Sequence, residues 1–340
     1  MLKTKIKSFA KINLFLDVGK KDKKAGLHEI QSLVCLINLF DEIKISRNAK
    51  NKDEMQYLNL IKDILDKGYE ETGRNGKVKA LFGATMRFDL TDNKIPLLTT
   101  KRLAWKTCLK ELLWFISGST DNKILKNNNV KIWNGNASRE FLDSRGLTHL
   151  EEDDLGPVYG HQWRFFNAPY DNCSTDYTGK GVDQLKYIID SLNDPNTRNS
   201  RRLILSAWNP QQIDEMALPP CHVLMQFNVF DEDKLSVSLY QRSGDVGLGV
   251  PFNIASYAFL THLVAKHCGL KPVEFVHFLG NVHIYSDHLE TLELQKEREP
   301  YKFPTLKILN TYDTIDQYKF EDFLVENYEY HGELKMIMRK

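Results

Sequence analysis

Cys221 lies in Ala217-Leu218-Pro219-Pro220-Cys221-His222, and Gln241-Arg242-Ser243-Gly244-Asp245 follows it by twenty residues. A thiol reacts as its thiolate, and a nearby cation raises the thiolate fraction, so His222 and Arg242 are candidate activators. Pro219 and Pro220 restrict the chain just before the thiol. An isolated cysteine is more often a small buried hydrophobe, and what weighs against that here is a possible anion site. Arg74 sits in Gly73-Arg74-Asn75-Gly76, and Arg201-Arg202 precede the apolar run Leu203-Ile204-Leu205. With Arg242 and Ser243 they offer four guanidinium groups and a hydroxyl, and guanidinium pairs with phosphate through charge-assisted hydrogen bonds. Taken singly, each arginine also reads as a solvated surface charge.

Three further features carry chemistry. Glu111 is the one acid in an apolar helical stretch, residues 104–116, where a carboxylate is costly unless paired or used. His283 and Tyr285 stand two apart and share a face if the segment is extended, which suits either a sugar hydroxyl or a hydrogen-bonded core pair. No carboxylate or cysteine stands near them at metal-ligand spacing. The glycines of Gly244-Asp245-Val246-Gly247-Leu248-Gly249 are weak evidence for a phosphate loop, and no Gly-x-x-x-x-Gly-Lys-Ser/Thr occurs.

The elements that must position these groups follow from hydrophobic spacing. Residues 6–18 and 33–45 read as strands, and the polar run 46–54 reads as a linker with nothing to bury. Tyr57, Leu58, Ile61, Ile64 and Leu65 recur at helical steps before Gly68. Residues 81–90, 203–207, 223–229 and 235–240 read as strands. Residues 254–266 form a helix with Asn253 placed to cap it. Residues 127–179 read as long surface connections. The order implies an α+β chain around one main sheet.

Composition narrows the function. Forty-six Lys+Arg against 45 Asp+Glu give a net charge of +1, so no global field draws in nucleic acid or an acidic membrane. Five scattered cysteines without a Cys-x-x-Cys pair point to free thiols in a reducing, cytoplasmic setting and to no metal. The basic start is followed by an apolar stretch broken by Lys11, Asn13 and Asp17, so a signal peptide is not expected. No apolar run approaches the roughly 20 residues that span a bilayer.

Residues 55–340 resemble thymidylate synthase. The resemblance rests on Glu111-Leu112-Leu113-Trp114-Phe115, on Leu155-Gly156-Pro157-Val158-Tyr159-Gly160-His161-Gln162-Trp163-Arg164, on Leu218-Pro219-Pro220-Cys221-His222, on Tyr240-Gln241-Arg242-Ser243 and on Pro251-Phe252-Asn253-Ile254-Ala255-Ser256-Tyr257. It implies a large mixed β-sheet with flanking helices and one sheet face packed in a homodimer. It also implies reductive methylation of dUMP to dTMP, with 5,10-methylenetetrahydrofolate giving carbon and hydride and leaving as dihydrofolate.

In that reading Cys221 attacks C6 of uracil, Glu111 organises water and protons, Tyr159 assists loss of the C5 proton, and His222 supports the water network. Arg74, Arg242 and Ser243 hold the phosphate, with Arg201 and Arg202 reaching in from the other subunit. Gln241, Asp245 and Asn253 contact the nucleotide, Asn253 pairing with the uracil edge, and His283 with Tyr285 hold the ribose hydroxyl. Lys101, Ile132, Trp133, Asp245, Gly249 and Phe252 match folate-site positions.

The chain departs from the family pattern at Asn281, where aspartate is usual, in a turn one residue shorter after Arg74, and in the terminal Arg339-Lys340, where small apolar residues are usual. The terminal cations keep a dUMP hydroxymethylase as the alternative. Asn253 favours uracil over cytosine. Residues 1–46 resemble the start of 4-diphosphocytidyl-2-C-methylerythritol kinase, of the GHMP kinase superfamily, through Phe9-Ala10-Lys11-Ile12-Asn13-Leu14 and Gly26-Leu27-His28-Glu29. That family's ATP loop is missing, so the expected organisation is a fragment at 1–46, a linker at 47–54 and a synthase domain at 55–340. A regulatory RNA-binding protein is disfavoured by the charge balance.

Overall fold

The computed structural model describes residues 3–21, 28–46, 51–73 and 75–338, the first two segments by backbone alone. The chain divides into two compact units, Met1–Ala49 and Lys50–Lys340. In the first, β1 (Lys3–Lys21) pairs antiparallel with β2 (His28–Ser46).

The second unit begins inside the run read as linker. Asn51 accepts a hydrogen bond from Glu54 N at 3.2 Å, capping α1 (Lys52–Lys67). The linker therefore ends before Lys52, because a polar stretch with an N-cap and first-turn acids is also how a helix starts. Glu54 is fully buried. Its carboxylate accepts from Thr99 N at 2.9 and 3.0 Å, Thr99 Oγ1 at 2.7 Å and Thr100 N at 2.7 Å. Glu54→Ala leaves these donors without an acceptor and should cost about 2–4 kcal/mol in urea unfolding. An unchanged midpoint would show that water replaces the carboxylate.

Six strands form the sheet, ordered β3-β4-β8-β7-β6-β5. They are β3 (Tyr69–Gly73), β4 (Gly76–Asp89), β5 (Ile204–Ser206), β6 (His222–Phe230), β7 (Lys234–Asp245) and β8 (Lys271–Tyr285). β7 and β8 are parallel and the other neighbours antiparallel, so the sheet is mixed. A parallel pair needs a crossover, and the helix supplying it is long and apolar nearly all round, as a helix buried on every side must be. The helices are α2 (Trp105–Ile116), α3 (Asn122–Asn127), α4 (Arg139–Ser144), α5 (Tyr159–Phe165), α6 (Gln184–Asn193), α7 (Gly249–His267), which is the crossover, and α8 (Leu289–Lys296). A small pair, β9 (Thr305–Ile308) with β10 (Phe323–Glu326), completes the unit.

Two expectations change. α7 starts at Gly249, with Pro251 in its first turn, so Asn253 lies inside the helix and does not cap it. Residues 127–179 are not simply surface connections, since α5 buries Tyr159, His161, Gln162 and Trp163. Among the described residues no helix is long and apolar enough to cross a membrane. Tyr240 and Phe278 are cross-strand neighbours, and both are about two-fifths exposed, at 42% and 41%.

Candidate active site

A cavity of about 1180 Å³ opens where the ends of β7 and β8, the starts of β6 and α7, one face of α2 and the C-terminal segment meet. Cys221 immediately precedes β6 and lines it. Tyr159 Oη accepts from Cys221 N at 2.8 Å and from His222 N at 3.4 Å. The phenol oxygen is thus an acceptor for the backbone, and its own O–H remains as a donor. A bulge in β6 between His222 and Leu224 sets His222 opposite Gln241, the kind of local kink that re-aims side chains at sites.

Arg242 is tied to the same turn. Its Nε donates to Pro220 O at 2.8 Å and its Nη2 to Pro219 O at 2.9 Å, while its backbone N donates to Cys221 O at 2.9 Å. A guanidinium has five N–H groups, so others remain for an anion. The two candidate activators of the thiol now separate. Burial pushes His222 down to about 4, which leaves it neutral near pH 7, and Arg242 is the cation.

Glu111 faces the cavity from α2, where Trp133 Nε1 donates to its Oε1 at 2.6 Å. Burial raises its carboxyl to about 7, with the Trp133 bond opposing. Burial likewise holds the Tyr159 phenol well above its usual range. A carboxyl that titrates near neutrality is suited to moving protons.

The side of the cavity lined by Gln241 and Asn253 has a fixed polarity. Gln241 Nε2 donates to Ser243 O and to Asn253 Oδ1, both at 2.9 Å. A backbone carbonyl only accepts, so Ser243 O fixes which end of the Gln241 amide carries hydrogen. Gln241 Oε1 lies 2.8 Å from His277 Nε2, which must then carry a proton. Asn253 consequently presents its oxygen to Gln241, and its orientation is set by the protein before any ligand arrives.

At the other end Ile132, Trp133, Leu248 and Phe252 supply an apolar wall, with Arg102, Arg145 and Lys335 also lining the cavity. Lys101 is buried and its ammonium donates to Gly247 O; burial lowers it to about 8, with Asp245 opposing. Asp245 Oδ1 accepts from Gly247 N at 2.9 Å. A Cβ at Gly247 would stand 2.7 Å from His288 Nδ1 and 3.1 Å from Met336 Sδ, so glycine there lets the C-terminal segment settle onto the cavity. His288 Nε2 lies 2.9 Å from Ile337 O and His331 N donates to Thr99 O at 2.7 Å.

A family model for thymidylate synthase matches residues 55–340. The chain belongs to the thymidylate synthase family. It is 52% identical to human thymidylate synthase over 286 residues, 84% of this chain and 90% of that protein. It is 51% identical to the bifunctional dihydrofolate reductase-thymidylate synthase of Zea mays over 288 residues and to that of Plasmodium chabaudi over 291 residues. There it covers 84% and 85% of this chain, and it spans about half of those longer relatives, 54% and 49%. The thymidylate synthase match begins at residue 55, so the kinase resemblance of residues 1–46 gains no support from it.

Of the residues expected at a thymidylate synthase site, Cys221, Glu111, Tyr159, His222, Gln241, Arg242, Ser243, Asp245 and Asn253 line this one cavity, as do His283, Tyr285, Lys101, Ile132, Trp133, Gly249 and Phe252. Arg201 and Arg202 do not; they are exposed in the turn before β5. Arg74 and the Arg339-Lys340 terminus lie outside the described residues. Sequence reading missed the cavity positions Glu71, Ala104, Asn136 and Met336, and it missed His277. His277 had a signal, a polar residue within the apolar run Phe275-Val276-His277-Phe278.

Proposed function

We infer that this chain is a thymidylate synthase, a methyltransferase that converts dUMP to dTMP with 5,10-methylenetetrahydrofolate as co-substrate. The observation that carries the reading is Arg242, bonded to the Pro219 and Pro220 carbonyls beside Cys221 while facing a cavity that also presents Asn253 and His283. One residue thereby sets the distance between an anion and a thiol.

Cys221 attacks C6 of the uracil; a sulfur–carbon bond forms, and the C5–C6 π electrons move toward O4, making C5 nucleophilic. Asn253, held by Gln241, pairs with the N3–O4 edge. Arg242 and Ser243 hold the phosphate, joined by Arg74. His283 and Tyr285 hold the ribose hydroxyl. The reduced folate supplies the one-carbon unit and the hydride. Ile132, Trp133 and Phe252 stack its ring system, and Asp245 and Gly249 border it. Glu111 relays protons through water near O4, His222 supports that water as a neutral imidazole, and the C5 proton leaves to water that the Tyr159 O–H orients. Expulsion of the Cys221 thiolate restores the enzyme. Segment 333–338, which lines the cavity, excludes water from the reacting carbon.

The enzyme acts as a homodimer in this reading. Tyr240 and Phe278 leave an apolar strip on one sheet face, and Arg201 and Arg202, exposed and not lining their own chain's cavity, complete the phosphate site of the partner. Incubation with dUMP and methylenetetrahydrofolate should yield dTMP and dihydrofolate by chromatography. Hydroxymethyl-dUMP with tetrahydrofolate would instead make the chain a hydroxymethylase.

A further inference from the structure

The departure at Asn281 is joined to a second residue that the reading above does not use. Glu71, on β3, and Asn281, on β8, both line the cavity. Asn281 Nδ2 donates to Glu71 Oε1 at 3.2 Å, and Asn281 Oδ1 lies 2.9 Å from His283 Nδ1. A carboxylate only accepts hydrogen bonds. Glu71 therefore requires the NH₂ end of the Asn281 amide to face it, because a flipped amide would set oxygen against oxygen. The amide oxygen then faces His283, and the Nδ1 of that ring must carry hydrogen. Burial holds His283 below its ordinary value, so near neutral pH the ring has one proton. Its Nε2 is left as a lone-pair acceptor.

We propose that Glu71 is a positioning residue for sugar recognition: through Asn281 it fixes His283 in the Nδ1–H tautomer, so that Nε2 accepts a hydrogen bond from the ribose hydroxyl of the nucleotide. The proposal rests on the ribose reading of His283 given above. It also accounts for asparagine at 281. An aspartate there would accept from Nδ1–H without help but would set two carboxylates against each other; the amide is the group that can donate to Glu71 and accept from His283 at once.

The test compares binding of dUMP and its 2′,3′-dideoxy analogue to the full chain by calorimetry, without folate. Glu71→Ala should cut the preference for dUMP by about threefold to tenfold, the worth of one net hydrogen bond, while binding of the dideoxy analogue stays unchanged. Glu71→Gln, whose carbonyl oxygen can still accept from Asn281, should keep most of the preference. His283→Ala separates the two claims. If His283→Ala retains the preference, the ribose reading of His283 fails and the proposal with it; if it loses the preference and a folded Glu71→Ala variant does not, the role of Glu71 fails. Nitrogen-15 NMR of the unsubstituted protein gives a readout independent of the variants. A His283 ring protonated at Nδ1 supports the proposal, and a ring protonated at Nε2 overturns it.

Discussion

Cys221→Ala should abolish tritium release from dUMP labelled at C5 and lower turnover by at least about 10⁴-fold, as loss of a covalent nucleophile does elsewhere. The same variant should bind dUMP within a few-fold of the parent. The contrast follows from how the turn is held. Arg242 is bonded to the carbonyls of Pro219 and Pro220 and to the backbone of residue 221, and Tyr159 accepts from the amide of residue 221. Both anchors are on main-chain atoms that alanine retains. The phosphate and base contacts proposed for Arg242 and Asn253 should therefore survive when the sulfur is removed. Exchange of the C5 proton requires attack at C6 first, so tritium release reports the thiol and little else. Retained release would remove Cys221 as nucleophile; simultaneous loss of dUMP binding would show that the sulfur, and not the backbone, holds the turn.

Much of this site was legible in the sequence because its parts lie in short ordered blocks. The Pro219-Pro220-Cys221-His222 turn, the Gln241-Arg242-Ser243 run and the His283, Tyr285 pair are local patterns readable without knowing what packs on them, although β8, the strand that carries the last pair, is absent from the strands expected from spacing. α5 is not legible: at seven residues it completes about two turns, too few for an apolar stripe to emerge, and its aromatics and glycines read as surface connection. The start of α7 was missed for a related reason. The glycines through Gly249 also mark ordinary turns, and Asn253 before an apolar run reads as a cap, whereas proline is favoured in a first helical turn; the earlier start moves Asn253 from a cap to a cavity-facing position. Least legible were the relays. His277 reaches Asn253 only through Gln241, and Glu71 reaches His283 only through Asn281. Such links join strands far apart in the chain, and no spacing rule within one strand encodes them. Glu54 shows the same limit in the scaffold, since its acceptor role for Thr99 and Thr100 is invisible in a polar run.

Glu111→Gln should separate catalysis from stability in opposite directions. Glutamine keeps the shape and can still accept from Trp133 Nε1, so the α2 wall should hold its geometry. It cannot exchange protons, and turnover should fall by about 10²- to 10⁴-fold, the usual worth of a positioned acid or base. Any limb of the wild-type pH profile near 7 that belongs to this carboxyl should vanish with it. The stability effect has the other sign. Burial raises the Glu111 carboxyl from 4.5 to about 7 in the folded state, so folding favours the protonated form. That contribution is fully present below the unfolded value and is lost as pH rises through about 7, where the fold must hold a buried ionised carboxylate beside Trp133 and Tyr159. Glu111→Gln should therefore melt higher than the parent at pH 8 and converge with it by pH 5. Equal melting temperatures at both pH values would mean that the carboxylate is solvated and its titration ordinary. A difference confined to high pH would identify Glu111 as a group kept at the expense of the fold for its proton chemistry, and would place that cost on the same side chain whose loss slows turnover.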